Sequence, residues 1–244
     1  MAAVAGATNK MKLIIYLGIL SGLLSFFSCD NSKQSKIIAT TDSGKDTTIN
    51  VNDILFSIPT IENTFPNFEG EVDSTGLSIL EDDWRQIEFI SKDQMSSINT
   101  EIDSINYIFD QKSHKGPTYI GFKDIYVRKL IKAPLFIPMS TIITYLGDPD
   151  SKISGLNVFN NVGKVKNGFS FINKGVKYYG VKDNANNVTS LCLYEAESDE
   201  FLSRSIEKIS KFLKSQNLLL VHWTHAKVFN ENNIQELVSD LGSR

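Results

Sequence analysis

Between Gly168 and Glu195 the chain reads GFSFINKGVKYYGVKDNANNVTSLCLYE. Three apolar-rich runs, Gly168–Ile172, Val176–Val181 and Val188–Glu195, are parted by Asn173-Lys174-Gly175 and by a polar stretch containing Asp183-Asn184. Asn, Asp and Gly accept the left-handed backbone that tight hairpins require, so these spacers predict an antiparallel meander. A further short strand, Leu156–Phe159, precedes it, and Asn167-Gly168 supplies another turn signal.

Past the meander the apolar period changes from that of a strand to that of a helix. Leu202, Ile206, Ile209 and Leu213 form one stripe. Ser198 stands as its N-cap, with Asp199 and Glu200 in the first turn, where the helix dipole favours acids. The same order occurs upstream. Gln86–Ser91 is a strand, Ser91-Lys-Asp-Gln94 has the spacing of a capping box, and Met95, Ile98, Ile102, Ile105 and Phe109 form a second helical stripe. Gly116-Pro117 ends that helix, and Thr118–Ile131 alternates as a strand. Pro138–Leu146 is a short helix stopped by Gly147-Asp148-Pro149. Asn217–Phe229 reads as one strand, and residues 231–241, capped by Asn230, as a final helix. The expectation is an α+β fold: an antiparallel sheet with two long amphipathic helices and a short C-terminal helix packed on one face.

The N-terminal portion is different in kind. Lys12 precedes an uncharged apolar run, Leu13–Phe27, followed by Ser28 and Cys29. The run is shorter than the roughly 20 residues a membrane-spanning helix needs. It has the form of a secretion signal, for which Met11 is a fitting start. With its small residue before a cysteine it resembles the leader of a bacterial lipoprotein precursor, although Phe26 and Phe27 are bulkier than the usual lipobox residues at those places. The resemblance implies that Cys29 is acylated, with palmitate among its chains, and becomes the first mature residue. The protein would then sit in the cell envelope, anchored to a bacterial membrane, with its domain facing the periplasm or cell surface. The expected organisation is a signal peptide over 1–28, a lipidated cysteine and flexible tether over 29–52, and one globular domain over 53–244. Residues 30–52 are mostly Ser, Thr, Lys, Asp and Asn, which cannot bury enough surface to fold alone. The second cysteine, Cys192, is left without a disulfide partner and reads as a small buried hydrophobe.

Charge is divided along the chain. Residues 69–110 hold 11 acids against Arg85 and Lys92, whereas residues 112–182 hold 12 basic residues against three acids. One acidic and one basic surface are expected, unless folding interleaves them. Within the acidic block, Glu81, Asp82, Asp83, Trp84 and Arg85 have the composition of a protein-binding hot spot rimmed by charge. The competing reading is a polar turn whose Trp packs inward. Within the basic block, Phe169, Phe171, Tyr178 and Tyr179 lie among lysines. They suit a glycan or small-ligand platform, or else a sheet with aromatics inside and lysines in water. The exported address argues against nucleic acid.

No Gly-x-Ser-x-Gly elbow, phosphate-binding glycine loop or His-Glu-x-x-His motif occurs, so no enzyme, cofactor or metal is indicated. A Ser–His–acid triad is left open, because its members need not be close in sequence. His222 and His225 could share a metal on a helix, but in a single strand they point to opposite faces, and the sequence offers no third ligand for zinc. In size, leader and the Glu81–Arg85 region the chain resembles lipoprotein immunity proteins, which neutralise toxins from neighbouring cells. That likeness implies one protein partner, occluded by the acidic turn. The alternative is a lipoprotein that binds a glycan or small ligand through the meander aromatics.

Overall fold

The computed structural model describes residues 36–40, 46–50, 55–116, 120–159 and 163–242. The leader, Cys29 and part of the tether lie outside these residues. Within the stretch read as tether, the backbones of Lys36–Thr40 and Asp46–Asn50 pair as an antiparallel ribbon. The β-branched residues Ile37, Ile38, Thr47, Thr48 and Ile49 give that stretch a strand preference that its polar average conceals.

The main sheet has seven antiparallel strands: β1 (Ile87–Ser91), β2 (Ile137–Pro138), β3 (Gly168–Asn173), β4 (Val176–Lys182), β5 (Asn187–Ala196), β6 (Leu218–His222) and β7 (Lys227–Phe229). The order is β3-β4-β5-β1-β6-β7, with β2 on the outer end of β5. The meander forms as the turn residues require. Lys174 and Gly175 both have positive φ, 48° and 75°, in the two-residue turn joining β3 to β4. Between β4 and β5 the Asp183 carboxylate accepts from the backbone N–H groups of Ala185 (2.9 Å) and Asn187 (2.8 Å).

Among the described residues four α-helices accompany the sheet: α1 (Met95–Lys112), α2 (Met139–Leu146), α3 (Asp199–Ser215) and α4 (Glu236–Leu241). The Ser198 hydroxyl accepts from Phe201 N–H at 3.3 Å and opens α3. Leu202, Ile206, Ile209 and Leu213 are all buried, as their spacing predicts. Fully burying each such side chain is worth about 1.5–3 kcal/mol.

The helices do not share one face. Phe89, Leu191, Leu218 and Leu220 pack with α2, α3 and α4, whereas Ile90, Leu219 and Val221 pack with Ile98 and Ile105 of α1. A small sheet covers the rest of the α1 side. In it Leu77–Ile79 runs parallel to Leu156–Val158, with Lys164–Val165 and Phe68–Glu69 beyond. It packs on Tyr179 and Cys192. Two-sided cover explains why all five residues of β6 are buried.

Four expectations need correction. The final helix is Glu236–Leu241 rather than 231–241, and its N-cap position is Gln235, not Asn230. Thr118–Ile131 is not one strand; its described part holds only Ile120–Phe122 and Tyr126–Val127. Asn217–Phe229 is a hairpin, β6 and β7 joined by the 3-10 turn Trp223–His225 and by Ala226 in the left-handed region at φ 53°. The Ser91–Gln94 box is half made. Ser91 accepts from Asp93 N–H at 3.3 Å, but the Gln94 amide turns away to bond Ile131 O and Ala133 N–H, each at 3.0 Å. Glu101 of α1 accepts from Lys129 N–H at 3.1 Å. Together these two side chains fix the irregular segment 128–136 against the domain.

Candidate functional site

Segment 128–136 delivers two cations to the interior, and their partners come from distant parts of the chain. Arg128 is fully buried. It donates to Gln86 Oε1 (3.1 Å), Arg85 O (3.1 Å) and Glu62 Oε2 (3.4 Å). The Lys132 ammonium pairs with Glu62 and, at 2.9 Å, with Glu88. Arg85 closes the cluster, donating from Nε to Glu88 Oε1 at 2.6 Å. Arg128 and Lys132 both lie over the Trp223 ring, 5.3 and 5.6 Å from its centroid, and Trp223 Nε1–H reaches Glu88 Oε2 at 3.5 Å.

Arg85 is held there by its backbone. It has a positive φ of 56°, and its N–H donates to Tyr179 Oη at 2.7 Å. Tyr179 in turn donates to Asp83 O at 3.0 Å. Left-handed backbone in a non-glycine residue costs energy and persists where surrounding contacts impose it.

The cluster holds three cations, Arg85, Arg128 and Lys132, against two carboxylates, Glu62 and Glu88. One positive charge is left over in a largely water-free place. Burial disfavours the Arg85 charge, but the charge and hydrogen bond of Glu88 together with the charge of Glu62 act the other way, and the guanidinium stays ionised above its ordinary value. Burial pulls Arg128 below its ordinary value against the attraction of Glu62 and Glu88. For Glu62 burial acts upward, yet Lys132 and Arg128 outweigh it and hold the carboxyl below its ordinary value of 4.5.

A carboxyl whose folded pKa is depressed contributes stability above its unfolded pKa and loses it as pH falls through the folded value. Glu62→Gln is therefore expected to be less stable than the parent at pH 7. The gap should close as pH drops below about 4.5. Urea midpoints across pH measure this, and a gap of constant size would show that Glu62 is not ionised at pH 7.

The cluster backs a cleft of about 490 Å³. Arg85, Lys132 and Lys166 bring positive charge to it, Thr64, Asn67, Asn167, Thr189 and Ser190 bring hydrogen-bonding groups, and no carboxylate lines it among the described residues. Lys166 is exposed, and among the described residues it makes no ion pair. Phe65, 53% exposed, stands on the lining with Pro66 and Pro134. Ile131 is 91% exposed on segment 128–136. A smaller hollow of about 270 Å³ has one cation, Lys177, which is already paired with Glu195.

The residues singled out in the sequence take other places. Glu81–Asp83 form a 3-10 turn. Burial, with the charges of Asp83 and Glu81, pushes the Asp82 carboxyl up. Trp84 is not a surface anchor; it is 4% exposed, donates to Thr64 O at 3.0 Å and packs 5.8 Å from Tyr179. Only Arg85 of the five reaches the cleft with its charge. Phe169, Phe171, Tyr178 and Tyr179 are all buried, so the exposed platform that a glycan site needs is not formed by them. Phe171 and Tyr178 stack at 5.0 Å on the α3 side, while Tyr179 lies on the other face.

Cys192 is buried, as its apolar strand suggested, and burial pushes its thiol up to about 12, away from nucleophilic use. His222 and His225 are not on opposite faces. The turn after β6 brings their rings together, 4.0 Å between centroids, beside Asp240.

Glu62, Glu88, Arg128 and Lys132 were missed in the sequence. The available signal was a single acid, Glu88, inside the apolar strand Ile87-Glu-Phe-Ile. A charge in a strand covered on both sides must be paired. No protein-family model, no curated protein and no solved structure matches this chain. No described helix is long and apolar enough to cross a membrane.

Proposed function

We propose that this chain is an exported binding module, tethered to a bacterial membrane through lipid on Cys29, whose cleft takes an acidic segment of a partner protein. The observation that carries the binding half is the cleft lining: Arg85, Lys132 and Lys166 with no carboxylate among the described residues, beside the exposed Phe65. Excess positive charge behind a polar cleft attracts an anionic group, and an exposed ring beside it adds the apolar contact that protein interfaces favour. The tethering half rests on Leu13–Phe27 followed by Ser28 and Cys29. An immunity role is the case in which the acidic segment belongs to a toxin. The docking surface is then the cationic cleft rather than the Glu81–Asp83 turn.

One set of variants tests both halves. A clickable palmitate analogue should label the chain in cells, and Cys29→Ser should abolish the label and release the protein from membranes. A fluorescent oligoglutamate peptide should bind the purified chain, more weakly as salt rises, and an oligoglutamine peptide should not bind. Lys166→Glu should weaken that binding by on the order of tenfold or more, while Glu81→Lys should leave it unchanged or tighten it. Loss of binding in Glu81→Lys with retention in Lys166→Glu would reverse the assignment and restore the acidic turn as the contact.

A further inference from the structure

A second polar cluster lies at the β6–β7 hairpin, apart from the cleft. Its chemistry comes from two elements that sequence spacing does not connect. The turn Trp223–His225 is closed by the Ala226 N–H on Trp223 O, and it sets His222 and His225 on one side of the hairpin. Helix α4 then presents Asp240 to both rings. His222 Nδ1 lies 2.5 Å from Asp240 Oδ2, and His225 Nδ1 lies 2.9 Å from Asp240 Oδ1. One ligand atom from each of the three residues can be chosen so that all lie within 4.8 Å of one another.

We propose that His222, His225 and Asp240 form a binding site for a divalent transition-metal ion of the zinc type. Two imidazole nitrogens and one carboxylate oxygen are a donor set zinc takes in tetrahedral sites, with metal–ligand bonds of about 2.0–2.2 Å. Ligand atoms around such an ion stand roughly 3.3 Å apart. The two hydrogen-bonded contacts to Asp240, 2.5 and 2.9 Å, therefore need to lengthen by less than about 1 Å to admit it. His222 and Asp240 are almost wholly buried, which fixes two ligands on rigid elements. The His225 side chain is 26% exposed and gives the ion a way in, with the fourth coordination position on that side.

Lys227 is the internal competitor. Its ammonium lies 2.7 Å from Asp240 Oδ1, and its side chain is 55% exposed. In the metal-free protein its ammonium pairs with the carboxylate. When the ion enters, Lys227 swings into water. Each imidazole coordinates through Nδ1 with its remaining proton on Nε2.

Isothermal titration of the chelator-treated full chain with zinc tests the site, with cobalt absorption as the spectroscopic readout. One equivalent should bind and raise the melting temperature. His225→Ala should weaken binding by on the order of a hundredfold, and His114→Ala should not change it. Lys227→Met should tighten binding by on the order of tenfold, because a neighbouring positive charge is removed. This surface variant keeps the test informative if His225→Ala folds poorly. No saturable binding by the parent or by Lys227→Met at about 100 μM zinc, where a usable site would already stabilise the fold, would overturn the proposal. So would stoichiometric binding that survives His225→Ala.

Discussion

Glu88→Gln is expected to destabilise the domain by about 4 kcal/mol, the cost of breaking one side of a buried ion cluster. Glu88 is 1% exposed in the central strand β1. Its two oxygens meet Arg85, Lys132 and the Trp223 indole. Glutamine keeps the size but not the charge, so three cations would face Glu62 alone. Arg128 and Lys132 cannot move into water without lifting segment 128–136, which Gln94 and Glu101 hold down. The leftover charges would therefore remain buried and unpaired. Equilibrium unfolding in guanidinium measures the change.

Glu207→Gln provides the contrast. Glu207 pairs with Lys211 on the exposed face of α3, with side-chain exposures of 79% and 66%. Its removal should leave stability essentially unchanged, as expected of an exposed pair screened by water. A loss below about 1 kcal/mol for Glu88→Gln would mean that water reaches the cluster and that its net charge does not drive binding at the cleft.

Gly180→Ala should cost about 3 kcal/mol, at the upper end of what overpacking costs. Gly180 lies in β4, where an added Cβ would overlap the Ser190 carbonyl oxygen of β5 and come within 3.0 Å of the Phe169 ring. Backbone on one side and a buried aromatic on the other leave no flexible chain end to yield. The strand must shift or β4 and β5 must part. Ser190 also lines the cleft, so the surviving folded protein should bind the acidic probe more weakly. Gly70→Ala is the comparison: nothing lies within 4 Å of its Cβ, and only its φ of +58° opposes the change. That strain alone should cost about 1 kcal/mol. Equal losses at the two glycines, read from thermal melts, would show that β5 gives way at Ser190.

What the sequence revealed, and what it hid, follows from the range of each interaction. The stripe of α3, its Ser198 cap and the meander turns depend on neighbours a few residues apart, and they form as read. The Asn217–Phe229 hairpin escaped because its turn uses Trp223, Thr224 and His225, which look strand-like. Its left-handed residue is Ala226 rather than the usual Gly or Asn. Without that turn the histidines fall on opposite faces, and Asp240 is nowhere near them. The Glu81–Arg85 composition could not show that Trp84 finds the Thr64 carbonyl and Tyr179, because both contacts are tertiary. The acidic and basic blocks meet rather than separate. Glu88 of the first closes on Lys132 of the second, and Glu101 receives the Lys129 N–H. The apolar run Leu218-Leu-Leu-Val221 did carry a usable signal. A strand without alternation is buried on both faces, which already implies helices on both sides.

The position of β1 bears on the order in which such a chain can fold as it is made. This strand lies in the middle of the main sheet, yet both its neighbours, β5 and β6, are synthesised roughly 100 residues or more after it. Until β6 has emerged, β1 lacks one of its two partners, and the charge cluster lacks Trp223. The sheet can close only when nearly the whole chain has been made and is free to fold. A copy truncated before Phe229 would carry an open edge at β6 and a strong tendency to aggregate.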